Sequence, residues 1–267
     1  MNPMVGKELR QRMRERRGWI LPSLYLLILS SVITLVYYFS VSERQGRGDE
    51  IQGSELGLII FVVVTYTQMT LLLLLAPVFS AGSVTIEKEQ RTLPGLLTSL
   101  LTVWQIWWGK FVSSLLFLLL LLFTSSPLLC VAFAFGGVSP LQVVVSIGTA
   151  VLVLATLSSV GLYCSSFFRR SIHATAVSYA IVVAMTVLTF VAFLLMQAHW
   201  QQNMIGGEPP PYVFIPLYFN PFFLCSMAFI SHADWYPDFL FSAGAFLLIG
   251  FISIFFAQYN LRRSGEQ

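Results

Sequence analysis

The sequence predicts an all-α integral membrane protein with six transmembrane helices. Apolar residues make up 57% of the 267 positions, charged residues only 10%, and mean hydropathy is +0.79, a balance too greasy for a water-soluble core. The apolar residues, 23 Phe among them, fall in unbroken runs of about 20 or more, long enough to cross ~30 Å of hydrocarbon as helices. Barrel strands would instead alternate every second residue. The fifteen Lys and Arg cluster at the ends of these runs, thirteen on one side of the resulting topology and two on the other. By the positive-inside rule the richer side, with both termini, is cytoplasmic.

Residues 1–18 come first. Val5, Leu9 and Met13 recur at four-residue spacing, and Lys7, Arg10, Arg12, Arg14, Arg16 and Arg17 surround them. This is the pattern of an amphipathic helix lying on the anionic cytoplasmic leaflet; a solvated basic flank is the plainer alternative. A signal peptide is disfavoured, because the apolar run is too long and lacks a small-residue cleavage site.

The first span covers residues 19–41, with Trp19 at the interface and Pro22 in the opening turn, where its missing amide hydrogen costs little. Residues 42–54 read as a short outer loop. The second span, 55–79, carries Thr65, Thr67 and Gln68 near its midpoint, where polar groups need partners, so these three face either another helix, through a structural hydrogen bond, or the pathway, for which they are the candidate residues. Pro77 is placed to kink its inner end.

A cytoplasmic segment at 80–105 follows. Glu87, Lys88, Glu89 and Arg91 put four charges in five residues, and Leu93, Leu96, Leu97 and Leu100 then give a short helix one apolar face. Thr92 can cap that helix, and Pro94 falls in its first turn. The third span, 106–135, would measure about 45 Å as a helix, so it must tilt, bend or overhang, with Pro127 as the bend. Trp104, Trp107 and Trp108 form an interfacial belt at its start, and Lys110 can snorkel towards water.

After a tight turn at 136–140, the fourth span at 141–168 displays Gly148, Ala155, Ser159, Gly161 and Ser165, small residues that allow close helix approach. Arg169 and Arg170 return it to the inside, and the fifth span covers 172–196. Residues 197–238 contain no Lys or Arg and belong outside; within them the apolar stretch after Pro221 is too short to cross, and reads as a re-entrant or interfacial helix. The sixth span, 239–259, ends at Arg262 and Arg263.

Catalysis has no visible home. No metalloprotease, nucleophile-elbow or Walker signature occurs, and His173, His199 and His232 are scattered. Cys130, Cys164 and Cys225 lack metal-binding or disulfide spacing and read as buried thiols. The basic residues are explained by span ends rather than by nucleic acid. The span interiors are almost free of Asp, Glu, Lys and Arg, which argues against an ion-driven relay and leaves another polypeptide as the energy source.

The run E-K-E-Q-R-T-L-P-G-L-L-T-S followed by W-G-K resembles the signature of type 2 ABC transporter permeases, generally E-x-E-x-G-T-L-x-x-L-L and then G-K. Glu87, Glu89, Thr92, Leu93, Leu96, Leu97, Gly109 and Lys110 match, while Arg91 stands where glycine is usual. The opening N-P-M-V-G-K-E-L-R and Asn220-Pro221-Phe222 are weaker similarities. The resemblance implies a single permease domain over 1–267, paired with a second, identical or related permease and with two cytoplasmic ABC ATPase subunits. ATP and Mg would be bound by those partners and no cofactor by this chain. The 80–105 segment would be the coupling helix seated on the ATPase, the outer segment would close the pathway, and the assembly would export from a plasma or bacterial inner membrane. A non-transporting scaffold or regulatory subunit is the alternative reading. An intramembrane enzyme is a third, with His173 and Cys164 as its sole candidate pair. The cargo itself is not legible.

Overall fold

The computed structural model describes residues 6, 17–47, 53–90, 103–203, 210–229 and 235–265. Among them all regular structure is helical, and six helices are long and apolar enough to cross a membrane. In chain order they are α1 (Arg17–Arg47), α2 (Gly53–Ala81), the short α3 (Thr85–Glu89), α4 (Val103–Thr124), α5 (Ser126–Phe135), α6 (Pro140–Phe167), α7 (Ser171–Val183), a π-helical turn (Ala184–Leu188), α8 (Thr189–Asn203), a 3₁₀ segment (Pro211–Phe219), α9 (Pro221–Ser226) with a last 3₁₀ turn (Met227–Phe229), and α10 (Trp235–Gly265). The expected amphipathic helix lies almost wholly outside the described residues, as does the leucine ridge.

α6 is the hub. It packs against α2, α4, α7 and α10, and 56% of its most apolar window is buried, against 11% for α1. Lipid is as apolar as leucine, so this association depends on close van der Waals fit and interhelical hydrogen bonds rather than on escape from water. The small residues supply the fit: a Cβ on Gly161 would collide with Ser80 Oγ, so α2 and α6 touch there only because Gly161 has none. Gly148, in contrast, faces open space and has no packing role of this kind. Thr156 Oγ1 adds a hydrogen bond to the Phe246 carbonyl of α10 at 3.2 Å.

The third span, residues 104–135, runs as one apolar stretch interrupted at Ser125, two residues before the expected Pro127. α4 ends at Thr124, and Pro127 sits in the first turn of α5, where its absent amide hydrogen leaves no bond unmade. The chain then turns through Gly136 and Gly137, both with positive φ (86° and 80°). A side chain at Gly137 would strike the Ser54 carbonyl, so this turn closes over the start of α2. Ser139 and Gln142 form a reciprocal capping box that starts α6.

Four local expectations change. Pro22 lies inside α1, which begins at Arg17 and so places the proline beyond the opening turn. Of the cysteines, Cys164 and Cys225 are buried but Cys130 is exposed, on the outward side of α5. Trp107 is buried against Phe111, stacked at 5.1 Å, while Trp104 and Trp108 remain exposed. Lys110 does not snorkel; it is 2% exposed.

Candidate functional site

The E-K-E run falls on α3, which leaves the end of α2 after a three-residue turn. Consecutive helical residues project about 100° apart, so its three charges cannot share a partner. Each reaches a different span. Lys110 Nζ, from α4, sits 2.8 Å from Glu87 Oε1 and 2.7 Å from the carbonyl oxygen of Ser83. Lys88 Nζ donates to the carbonyls of Ser165 and Phe168, each at 3.2 Å, and to that of Ser166, the last orphan carbonyls of α6. Glu89 Oε1 accepts from the Ser171 amide at 2.6 Å, the first residue of α7, whose N-cap Arg170 contributes no side-chain bond.

The exchange with α6 is reciprocal. Ser165 Oγ accepts from the amides of Val84 (2.8 Å) and Thr85 (3.0 Å), serving two orphan donors at the start of α3. The Lys88 cation meets the negative end of the α6 dipole, and the Glu89 carboxylate meets the positive end of α7. Beneath this knot lies a small core of Val84, Trp107, Phe111, Leu162 and Ala257, drawn from the α2–α3 turn and from α4, α6 and α10.

Of the residues expected to couple, the structure pairs Glu87 with Lys110, sets Glu89 apart on the Ser171 amide, and buries Gly109 beside Lys110. Arg91, Thr92, Leu93, Leu96 and Leu97 lie outside the described residues. Sequence reasoning missed the roles of Lys88, Ser83, Ser165 and Ser171. Lys88 stood in view inside E-K-E, but its partners are more than 75 positions away.

A second polar group sits mid-bundle. Thr65 and Gln68 are buried at 6% and 4% exposure, whereas Thr67 is half-buried. The threonines are satisfied within α2: Thr65 Oγ1 donates to the Phe61 carbonyl and Thr67 Oγ1 to that of Val63, both at 2.7 Å. Gln68 Oε1 has no partner among the described residues. It borders a cavity of about 10 Å³, shared with Thr65, Ser146 and Cys225, with room for about one water molecule.

At the end of the bundle away from α3, the segment 211–229 bends by 101° at Asn220. Asn220 Nδ2 donates to the Thr186 carbonyl (2.9 Å) and to Thr189 Oγ1 (3.0 Å), and its Oδ1 caps α9 by accepting from the Phe222 amide (2.9 Å). Thr186 lies in the π-helical turn, a widened stretch of helix that often marks functional sites. On the other flank, Tyr218 donates to Asp238 at 2.6 Å, and Ser242 to the Tyr218 carbonyl at 2.9 Å, tying the bend to α10.

A family model described as an ABC-2 family transporter protein matches residues 3–232. The chain belongs to this family. Comparison with curated proteins gives no match. Membership places the chain among the membrane-spanning permease components of ABC transporters and implies association with ABC ATPase components. The E-K-E run lies at the end of the second candidate span, ahead of the third. No group of three or more His, Cys, Asp or Glu able to hold a metal occurs among the described residues. Cys164 is buried while His173 is exposed, so the two candidate enzyme residues meet different environments.

Proposed function

We propose that the chain is the permease of an ATP-driven exporter, pairs with a second permease, and is driven by separate cytoplasmic ATPase subunits through residues 87–101. One observation carries the reading: the E-K-E charges join α3 to α4, α6 and α7 at once. A load applied to the loop is thereby distributed to three spans instead of being absorbed by a slack turn. In this reading Glu87, Glu89, Gly109 and Lys110 transmit the load within the permease. Arg91, Thr92, Leu93, Leu96 and Leu97 meet the ATPase, the leucines in its groove and the polar residues at its rim. ATP and Mg act on the ATPase chains. Both termini and α3 face the cytoplasm, as the distribution of Lys and Arg supports.

Leu96→Asp with Leu97→Asp tests this directly. The doubly substituted chain should insert normally, lose co-purifying ATPase and lose cargo-stimulated ATP hydrolysis in lipid. Retention of both would overturn the coupling assignment. Gln68 and Thr65 are assigned to the pathway wall: Gln68→Leu should leave folding intact and lower transport, and unchanged transport would remove that role.

A further inference from the structure

We propose that the cleft between α2, the π-helical turn and the bend at Asn220 binds a neutral, drug-sized amphiphile that carries a hydrogen-bond donor. The cleft holds about 530 Å³, within the size range of small-molecule sites. Its walls include Tyr66 of α2, Val187 in the π turn and Phe190 beside it, and Asn220 and Ser226 of the bent segment. Rings dominate this lining, which suits a ligand with a flat apolar body.

The head-group preference follows from charge and from a count of donors. Among the described residues no Asp, Glu, Lys, Arg or His lines the cleft, so an ion would enter without a counter-charge from these walls and lose its hydration. Thr186 Oγ1 already donates to the Val182 carbonyl (2.9 Å) and Ser226 Oγ to that of Phe223 (2.7 Å). Both amide hydrogens of Asn220 are committed to Thr186 and Thr189. The Tyr66 hydroxyl can give its hydrogen to Ser226 Oγ, whose own hydrogen goes to the Phe223 carbonyl. The remaining capacity is on the acceptor side: Asn220 Oδ1 receives one bond, from Phe222, and can accept a second, and hydroxyl oxygens retain lone pairs. A hydroxyl or N–H on the ligand satisfies them; a pure acceptor does not.

The site rests on the transport reading for its role, as a place where cargo lodges. Its binding is measured with no ATPase present, so failure here and failure of the coupling assignment are distinguishable. The full chain, purified into phosphatidylcholine nanodiscs, is photolabelled with a benzophenone bearing a primary carboxamide, with its N,N-dimethyl analogue, which lacks the donor, and with its carboxylate analogue. Labelling by the primary amide should saturate and map to residues 186–193 and 217–226. Its apparent affinity should exceed that of the dimethyl analogue by about three- to tenfold, the worth of one hydrogen bond, and the carboxylate should label weakest. Val187→Trp, at a position 55% exposed and so tolerant of bulk, should fill the cleft and cut labelling about tenfold. Phe193→Trp is the second filling variant, and Leu248→Trp, on an exposed face of α10, should leave labelling unchanged. Labelling that does not saturate, that treats the three probes alike, or that survives both filling variants would overturn the proposal.

Discussion

Lys110 Nζ lies 2.8 Å from Glu87 Oε1, with the lysine 2% and the glutamate 20% exposed. This pair fixes the first charge of the E-K-E run against the start of the third span. Removing one member of a buried pair leaves the other desolvated without compensation, which costs about 3–5 kcal/mol when both are fully buried. Because Glu87 is partly exposed, Lys110→Met should cost less, about 2–3 kcal/mol. Glu87→Gln, which keeps an acceptor, should cost less again. The unfolding midpoint of each variant in detergent checks the order; a midpoint for Lys110→Met equal to the parent's would show that the pair does not stabilise the fold.

The Lys88 and Ser165 exchange should behave as one unit. Each side chain caps the helix that carries the other, so Lys88→Met and Ser165→Ala should each cost about 1–2 kcal/mol. The double variant should cost less than the sum, because the first substitution already loosens α3 from α6. If the ATPase is bound through residues C-terminal to α3, these variants should retain it while losing stimulated hydrolysis. A double-mutant cycle read by chemical denaturation measures the first claim, and co-purification with an activity assay the second.

Gly161 and Ser80 set the distance between α2 and α6. Gly161→Ala drives a methyl into the Ser80 side chain and should destabilise by about 1–3 kcal/mol. Ser80→Gly, which removes the obstructing atoms, should restore part of that loss in the double variant. Gly148→Ala meets nothing within 4 Å and should be neutral. The folded yield and thermal midpoint of the four chains decide it.

Asn220 joins the bent segment to the π-helical turn. Asn220→Ala removes two donors and the cap of α9, while Asn220→Asp keeps the cap and loses the donors. Cys225, 1% exposed on α9, is a native reporter. In a Cys130→Ser background its maleimide labelling should be slow in the parent, faster for Asn220→Asp and fastest for Asn220→Ala. Equal rates would show that the bend is held without Asn220.

The sequence alone determined how many times the chain crosses and which short run marks the loop after the second crossing. Spanning is a local demand: each helix must satisfy its own backbone in hydrocarbon, so about 20 apolar residues in a row announce it. The six spans and the apolar insertion after Pro221 were legible for that reason. What the sequence could not disclose is where each polar group finds its partner. Thr65 and Thr67 promised interhelical bonds and instead turn back on their own helix. Lys88 and Ser165, 77 positions apart, serve one another's helices. The widened turn at 184–188 carries no proline or glycine to announce it, yet offers the Thr186 carbonyl to Asn220. Inside a bilayer every helix face is apolar, so periodicity cannot reveal which faces meet; packing distance and the obligation to satisfy buried donors decide it, and both exist only once the helices are assembled.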